Sequence, residues 1–583
     1  MKDAYDLESV RLPHLKGIVL KLVVSLVEGP LGGLLAPGLL QNAGITRLRQ
    51  RHFDEAPTFR PLYYTGTMQT RASAVPESQW PGAASTAAVV DDSPAGGLTG
   101  GPETGRVPES GFRLPGIQDY AKAYRDGSTT PDAVARRFLA ALGQADSTPR
   151  PLKAFIAVDK DEVLRQAHES TLRFQAGKPL GLFDGIPVAV KDEMDMVPYP
   201  TTVGTAFLGK EAAKADATVV ARFRAAGAML VGKTNMHEIG INVTGLNPHH
   251  GTTRNPCNPD HYTGGSSSGS ATAVAAGLVP LALGADGGGS IRIPAAFCGI
   301  IGLKATYGRV SGQGAADLDW SVAHIGPLAA SVADTALGYA LMAGPDPKDP
   351  LSLHQSLPVL DGWDDMNLKG LRLGVYWPWF RHAEAEVAQT CEALLRDFEK
   401  RGCRVVEVTI PDLEANRVAH SITILSEMAQ AMEATRVAHN REHGLDVRLN
   451  LALARRLSAT DYVMAQRVRT RMISHFADAF GLADVVLTPS TGLAAPLICK
   501  GALPDGESDL STTIEIMRFA TVANMMGLPA ISFPAGYTGK GLPIGMQAMG
   551  RPWEEHTLLR LARMAETMVQ RRKPEVFFNL LES

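Results

Sequence analysis

The sequence predicts an α/β fold: a large mixed, twisted β-sheet core covered by α-helices on both faces, with an N-terminal helical arm ahead of it. Three observations predict it. From about residue 115 onward, short apolar runs of strand length alternate with helix-periodic segments. The chain has 583 residues with 45% hydrophobic and 20% charged content, enough for one large soluble domain with extensions. The most glycine-dense stretch, YTGGSSSGSATAVAAGLVPLALGADGGGSIRIP at 262–294, passes from loop to helix to strand and back to loop.

In chain order, residues 1–64 form an apolar arm with a polar exit. GIVLKLVVSLV (17–27) contains Lys21 and is too short to cross a bilayer. LGGLLAPGLL follows after Glu28 and Pro30. Flanked by Lys16, Lys21, Arg47 and Arg49, the two segments fit equally a pair lying on a membrane surface and an arm packed on the body or on a second copy of the chain. The opening residues MKDAYDLESVRL mix acids and bases, with no clean cleavage site, so they do not read as a secretory signal. Residues 65–113 turn to Ala, Ser, Gly, Pro and Glu and read as a flexible linker without chemistry.

The body covers 114–583. Thr130 followed by Pro131 is a helix start, and it launches a helix at 132–142. A strand is expected at 155–158 and a helix at 159–177. GIPVAVKD (185–192) is an apolar strand ending in Lys191. A helix at 217–226, with Asp216 placed to cap it, and a strand at 228–231 follow. Beyond the glycine block, strands are expected at 371–376, 404–408, 485–488 and 530–533. Helices are expected at 331–343, 383–401, over most of 413–480, and at 554–570. Met428, Met432, Leu449, Leu451, Leu453 and Met464 mark an apolar helical face that is either ordinary core or the wall of a hydrocarbon channel.

The net charge of −3 leaves no basic excess for nucleic acid. Five scattered cysteines without CxxC spacing argue against a disulfide framework or a zinc site, and Cys298 reads as a buried structural thiol. His237-Glu238 lacks an HExxH continuation and His249-His250 lacks companions at ligand spacing, so neither predicts a metal.

The chemistry concentrates in two places. Gly287, Gly288 and Gly289 directly before Ser290 would aim backbone N–H donors around one hydroxyl, which is what an oxyanion hole requires. Most lysines are solvated, but Lys191 ends an apolar run, where partial desolvation lets the neutral amine act as a base.

Together GIPVAVKD, GTTRNP (251–256), YTGGSSSGSATAVAAGL, GADGGGSIRIPAAFCGIIGLKATYGR, LTPSTGLAAP (487–496) and GLPAISFPAGY with GLPIGMQ make the chain resemble the amidase signature family from about Pro115 to the C-terminus. NMHEIGINVTG around Met236, RPW at Arg551 and the arm PHLKGIVLKLVVSLVEGPLGG make it most similar to plant-type fatty acid amide hydrolases. The Ala/Ser/Pro-rich linker departs from what that likeness leads one to expect.

The resemblance implies the amidase signature fold and a Ser-Ser-Lys triad. Lys191 is its base, Ser266 the bridging residue whose peptide bond the family holds cis, and Ser290 the nucleophile. It places oxyanion donors at Gly287, Gly288, Gly289 and Ser290, makes Ser267 and Ser268 auxiliary loop hydroxyls, and has Asp286 and Arg292 hold the loop by pairing. Met236, Ile241, Thr244 and Ser267 are the substrate-binding candidates. The implied reaction is amide hydrolysis through an acyl-enzyme, with N-acylethanolamines and other fatty acid amides as substrates and no cofactor or metal. A homodimer is implied, in the cytoplasm or on a membrane surface.

Competing readings are weaker. GSSSG (265–269) formally matches the GxSxG elbow with Ser267 as nucleophile, but HYTG before it is no apolar strand, and Lys191 and Ser290 would be left without a role. A phosphate loop would end in GKS or GKT. An amidase of short or aryl amides, the amidase component of a glutamine-dependent amidotransferase and an inactive membrane scaffold remain as alternatives. The last is disfavoured by the presence of Lys191, Ser266 and Ser290.

Overall fold

The computed structural model describes residues 5–10, 12–63 and 111–582. The expected linker at 65–113 thus lies largely outside the described residues.

The strands run in chain order as β1 Leu15–Lys16, β2 Phe155–Ala157, β3 Pro187–Lys191, β4 Met229–Thr234, β5 Arg254–Asn255, β6 Asn258–Tyr262, β7 Leu281–Ala285, β8 Ile301–Lys304, β9 Ile325–Ala329, β10 Arg372–Val375, β11 Arg404–Glu407, β12 Val485–Pro489, β13 Glu507–Ser508, β14 Ala530–Tyr537 and β15 Pro543–Gly550. Eleven of them form one sheet in the order β11-β10-β12-β15-β14-β8-β9-β7-β3-β4-β2. Pairing is parallel within β11-β10-β12 and within β7-β3-β4, and antiparallel between them and at β2. The sheet is mixed and flanked by helices, as expected. Each of β3, β4, β7, β8, β9, β12 and β15 is buried along its whole length. Strands covered on both faces read as unbroken apolar runs, which is why they stand out in the sequence.

Helix starts follow their caps. Thr130 Oγ1 accepts the Ala133 N–H at 3.2 Å and begins the helix Pro131–Asp146, and Asp159 caps Lys160–Gln175. Asp216 does not cap the helix Thr218–Ala225. The cap position is Ala217, and the Asp216 carboxylate instead accepts the Val197 N–H at 2.8 Å and pairs with Arg224 at 2.6 Å. A guanidinium two turns on competes better for this carboxylate than a backbone N–H at the helix start.

The arm folds as two helices, Gly17–Glu28 and Gly32–Asn42, bent by 113° at the break, followed by the short helix Ile45–Arg49. No single helix among the described residues is long and apolar enough to cross a membrane. Leu20, Val24 and Val27 pack against Leu445 and Leu449 of the helix Leu445–Ala454. Ile18, Leu22 and Leu26, spaced by four on the opposite face, are exposed, as are Leu31, Leu34 and Leu35. β1 pairs with β13, and His14 Nε2 lies 2.8 Å from Glu507 Oε2, so the arm is pinned to the body at its start.

Candidate active site

β3 and β7 are adjacent and parallel, so their carboxyl ends meet at one edge of the sheet, the usual place for a ligand site in α/β folds. Lys191 is the last residue of β3, and Asp286 follows the last residue of β7. The serine loop enters between them. The peptide Gly265–Ser266 is cis, and Ser267 leads into the helix Ser268–Ala275, in which every residue is buried. Small residues are required there, because a Cβ on Gly269 would collide with Ala154 O and the Asn235 backbone.

Lys191 Nζ lies 2.8 Å from Ser266 Oγ and 3.3 Å from Ala285 O. The first separation allows direct proton transfer in either direction. The Ser267 N–H donates to Ser290 O at 3.2 Å and so ties the two serine loops together. Lys191, Ser266 and Ser290 are all at least 95% buried, with exposures of 1%, 2% and 5%. The structure therefore gathers at one edge the three residues the sequence singled out.

The glycine loop is held from behind. Asp286 accepts the Gly289 N–H at 2.7 Å and the Ile291 N–H at 3.2 Å, and receives Arg292 Nη2 at 2.9 Å and Asn524 Nδ2 at 2.9 Å. Burial alone would raise the Asp286 carboxyl, but the Arg292 guanidinium outweighs it and holds the group well below the usual carboxylate range. Arg292 is itself bound by Ala520 O, Gln547 and Asn524 Oδ1. Asp286 and Arg292 thus pair as expected.

Gly289 differs from the expectation. Its N–H is taken by Asp286, and its φ of +116° turns the chain. Among the described residues no hydrogen bond occupies the N–H groups of Gly287, Gly288 or Ser290, which leaves these as the donors free to face an oxyanion. The Gly287 carbonyl accepts the Nε2–H of His420 at 2.8 Å, which fixes that tautomer. Burial pushes His420 down to about 4, so it is neutral near pH 7. A Cβ on Gly287 would collide with Asp319 Oδ2, and one on Gly288 would come within 2.8 Å of Met517 Cε.

Among the substrate-binding candidates, Met236 and Ile241 fall in one apolar cluster with Ile239, Leu318, Met432, Val447 and Leu451. Gly240 sits where that cluster meets the serine: its Cα–H side faces Ser266 Oγ, Met428 Cε and Leu318 Cδ1, each within 4.0 Å of a Cβ placed there. Thr244 is buried apart from them, with its hydroxyl accepting the Leu246 N–H at 3.4 Å. Ser267 is buried, with its hydroxyl bonded to both the carbonyl and the N–H of Ala285, so it shapes the loop. Ser268 Oγ bonds Thr253 at 3.1 Å.

Of the histidines that lacked metal spacing, His237 is buried, with Nε2 3.0 Å from Asp446 Oδ2, while His249 and His250 are half-buried. Glu238 receives His443 Nδ1 at 2.6 Å, and His249 Nε2 lies 3.0 Å from the same carboxylate. Cys298 is buried, and its Sγ contacts Thr263 O. Sequence reading missed Asp319, His420, Met517 and Asn524. Each is an ordinary residue in an ordinary helix or loop, brought to the glycine loop only by tertiary folding. It also missed Glu193, whose carboxylate lies 2.6 Å from Lys191 Nζ.

The Amidase family profile matches residues 136–559. A fatty acid amide hydrolase of Arabidopsis thaliana is 41% identical over 99% of this chain and 97% of its own, and one of Medicago truncatula is 40% identical over 99% and 96%. Among solved structures, a peptide amidase in complex with the competitive inhibitor chymostatin superposes with a TM-score of 0.70 at 27% identity, covering 79% of this chain and 98% of that one.

Proposed function

The chain belongs to the amidase signature family of amide hydrolases, and from that premise we propose that it cleaves fatty acid amides, N-acylethanolamines foremost, through Ser290, Ser266 and Lys191. The observation that carries the mechanism is the buried Lys191–Ser266 contact of 2.8 Å beside the glycine loop. Neutral Lys191 takes the proton of Ser266 as Ser266 takes that of Ser290. Ser290 Oγ attacks the amide carbonyl, forming a C–O bond and an oxyanion that faces the N–H groups of Gly287, Gly288 and Ser290. The relay then returns a proton to the departing nitrogen as the C–N bond breaks. Water attacks the acyl-enzyme along the same proton path and releases the acid. No step calls for a metal or an organic cofactor.

Two observations support the long-chain substrate. The relatives similar along the whole chain carry the name fatty acid amide hydrolase, and the Met236–Leu318–Met428 surroundings of Gly240 are apolar beside Ser266. The exposed stripe Ile18, Leu22 and Leu26 with Leu34 supports seating of the arm on a membrane or on a second copy in a homodimer, in the cytoplasm or at a membrane surface. The helical-arm role of 1–64, the linker role of 65–113 and the catalytic role of 114–583 belong to the same reading.

The test is hydrolysis by the purified chain of amides of one amine with acyl groups graded from acetyl to arachidonoyl, with Ser290→Ala as the blank. Rates that rise with chain length and vanish in the blank support the reading. Hydrolysis confined to short or aryl amides would instead favour the second reading, to which the likeness to a peptide amidase points.

A further inference from the structure

The start of the arm meets the body through a two-stranded ribbon, and one face of that ribbon gathers metal-binding side chains. β1 and β13 pair antiparallel, with Leu15 opposite Ser508 and Lys16 opposite Glu507. Side chains alternate along a strand, so His14 and Lys16 share a face with Glu507 and Asp509. Cys499 reaches the same place from the loop before β13, where its N–H donates to the Tyr262 hydroxyl at 3.2 Å. His14 Nε2 lies 2.8 Å from Glu507 Oε2 and 3.7 Å from Cys499 Sγ, and the three ligand atoms fall within 4.8 Å of one another. Glu507 is buried, Cys499 half-buried and His14 exposed, so the cluster is anchored in the body and open to water on the arm side.

Two of the three ligands are oriented by a neighbour. The Tyr262 hydroxyl donates to Glu507 Oε1, which leaves Oε2 to face His14. Asp509 Oδ2 lies 3.7 Å from His14 Nδ1, and Asp509 is itself fixed as the cap of the helix Leu510–Met517. Carboxylates placed on one ring nitrogen orient the other toward a metal. Lys16 Nζ donates to Lys500 O at 3.1 Å and lies 3.6 Å from Cys499 Sγ. Burial first, and then Glu507, raises the Cys499 thiol, with Lys16 pulling the other way; a cation between sulfur and carboxylate removes their repulsion.

We propose that His14, Cys499 and Glu507 bind one divalent cation of the zinc type, which fastens the N-terminal arm to the body. Zinc bonds of about 2.3 Å to sulfur and about 2.0 Å to nitrogen and oxygen set tetrahedral edges of about 3.5 Å from S to N and about 3.3 Å from N to O. The sulfur–nitrogen separation already fits, and the His14–Glu507 contact has to open by about 0.5 Å, a small step for an exposed imidazole. A sulfur, an imidazole nitrogen and a carboxylate oxygen suit Zn²⁺ better than Mg²⁺ or Ca²⁺. Coordination breaks the Cys499 S–H bond and any N–H bond on His14 Nε2; the electron pairs stay on S and N, and the protons pass to water. The hydrated cation exchanges water for the three ligands and keeps one water in the open fourth position. The sequence hid this set, because its members stand at 14, 499 and 507 and share no motif.

The experiment titrates the reduced, chelator-stripped full chain with Co²⁺, follows the thiolate-to-cobalt charge-transfer band, and then displaces the cobalt with Zn²⁺. The wild type should saturate at one equivalent and lose the band to Zn²⁺. Cys499→Ser should lack the band, whereas Cys257→Ser, at the other half-buried cysteine, should keep it. His14→Ala and Glu507→Gln should each weaken binding by about 10²-fold, and Asp509→Asn, which retains a capping side chain, by about 10-fold. Saturating Zn²⁺ should raise the Tm of the wild type but not of Cys499→Ser or His14→Ala. A wild type without the band, or a band that survives in Cys499→Ser, overturns the proposal. So does equal affinity in His14→Ala and Glu507→Gln, which would mean a thiol taking up metal by itself. The readout is a metal band and not hydrolysis, so its outcome is independent of whether the chain cleaves amides.

Discussion

The loop that carries Ser290 and the helix pair near the N-terminus are made of similar material, small and apolar residues, and end in opposite states. In the loop, Asp286, Ser290 and Arg292 are buried, and the charged pair is held by backbone N–H groups of the loop and by Asn524 and Gln547. In the helix pair, one face is packed on the helix Leu445–Ala454 and the other presents Ile18 and Leu34, each 78% exposed. A loop of three glycines is held open by a buried ion pair and its amide partners. Helices of good apolar character are left with half their surface uncovered. The difference separates a segment whose charged side chains are buried and paired from one whose apolar side chains stay exposed.

Each half of that comparison can be broken. Ser290→Ala should reduce hydrolysis by about 10⁴-fold or more with the fold intact, measured as residual kcat against an unchanged circular dichroism spectrum. Arg292→Met should cost about 3–5 kcal/mol in urea unfolding, because it leaves Asp286 charged, buried and unpaired. The imidazole of His420 sharpens the point through pH. Its folded value near 4 lies below the ordinary value of 6.5, so the unfolded chain binds the proton first as the pH falls. Stability should be full above pH 6.5 and decline as the pH falls toward 4, by on the order of 3 kcal/mol from this group, and His420→Gln should lack that share of the decline. Gly287→Ala should lower kcat by about 10²-fold, since its Cβ meets Asp319 and displaces the oxyanion donors, while KM changes little. The arm gives the smallest effect on folding. Ile18→Ser with Leu34→Ser should change stability by less than about 0.5 kcal/mol while reducing binding to phosphatidylcholine vesicles or self-association in sedimentation.

Much of the body was legible because its strands are buried on both faces and its helices are capped locally. Thr130, Asp159 and Ser331 each cap the helix that follows them. Lys191, Ser266 and Ser290 were legible because backbone demands leave a mark: glycines where the chain bends, and a lysine where an apolar run stops. Asp216 misled because a capping residue and an ion-pair partner look alike until Arg224 is seen beside it. His420, Asp319 and Asn524 left no mark at all. Their neighbours along the chain are ordinary, and only tertiary folding brings them to the loop, His420 from the helix Leu413–Ala431 onto the Gly287 carbonyl, Asn524 from the helix Thr521–Met525 onto Asp286, and Asp319 against Gly287. Glu193 is the instructive omission, since it stands two residues from Lys191 and the sequence alone does not show that the turn after β3 folds its carboxylate back.

The order of strands in the sheet has a consequence for biosynthesis. The hairpin of β14 and β15 is among the last parts of the chain to be made, yet it lies between β12 and β8, at the middle of the sheet. As the chain emerges from the N-terminus, the segment bearing Lys191, Ser266 and Ser290 is complete long before its sheet can be joined to the parallel set β11-β10-β12. Until residues 530–550 arrive, the edges of β8 and β12 stand open, and Gln547, which grips Arg292 behind the glycine loop, is missing. A nascent chain that stops short of residues 530–550 therefore already holds Lys191, Ser266 and Ser290 while the sheet between β8 and β12 is still open and Arg292 lacks its Gln547 partner.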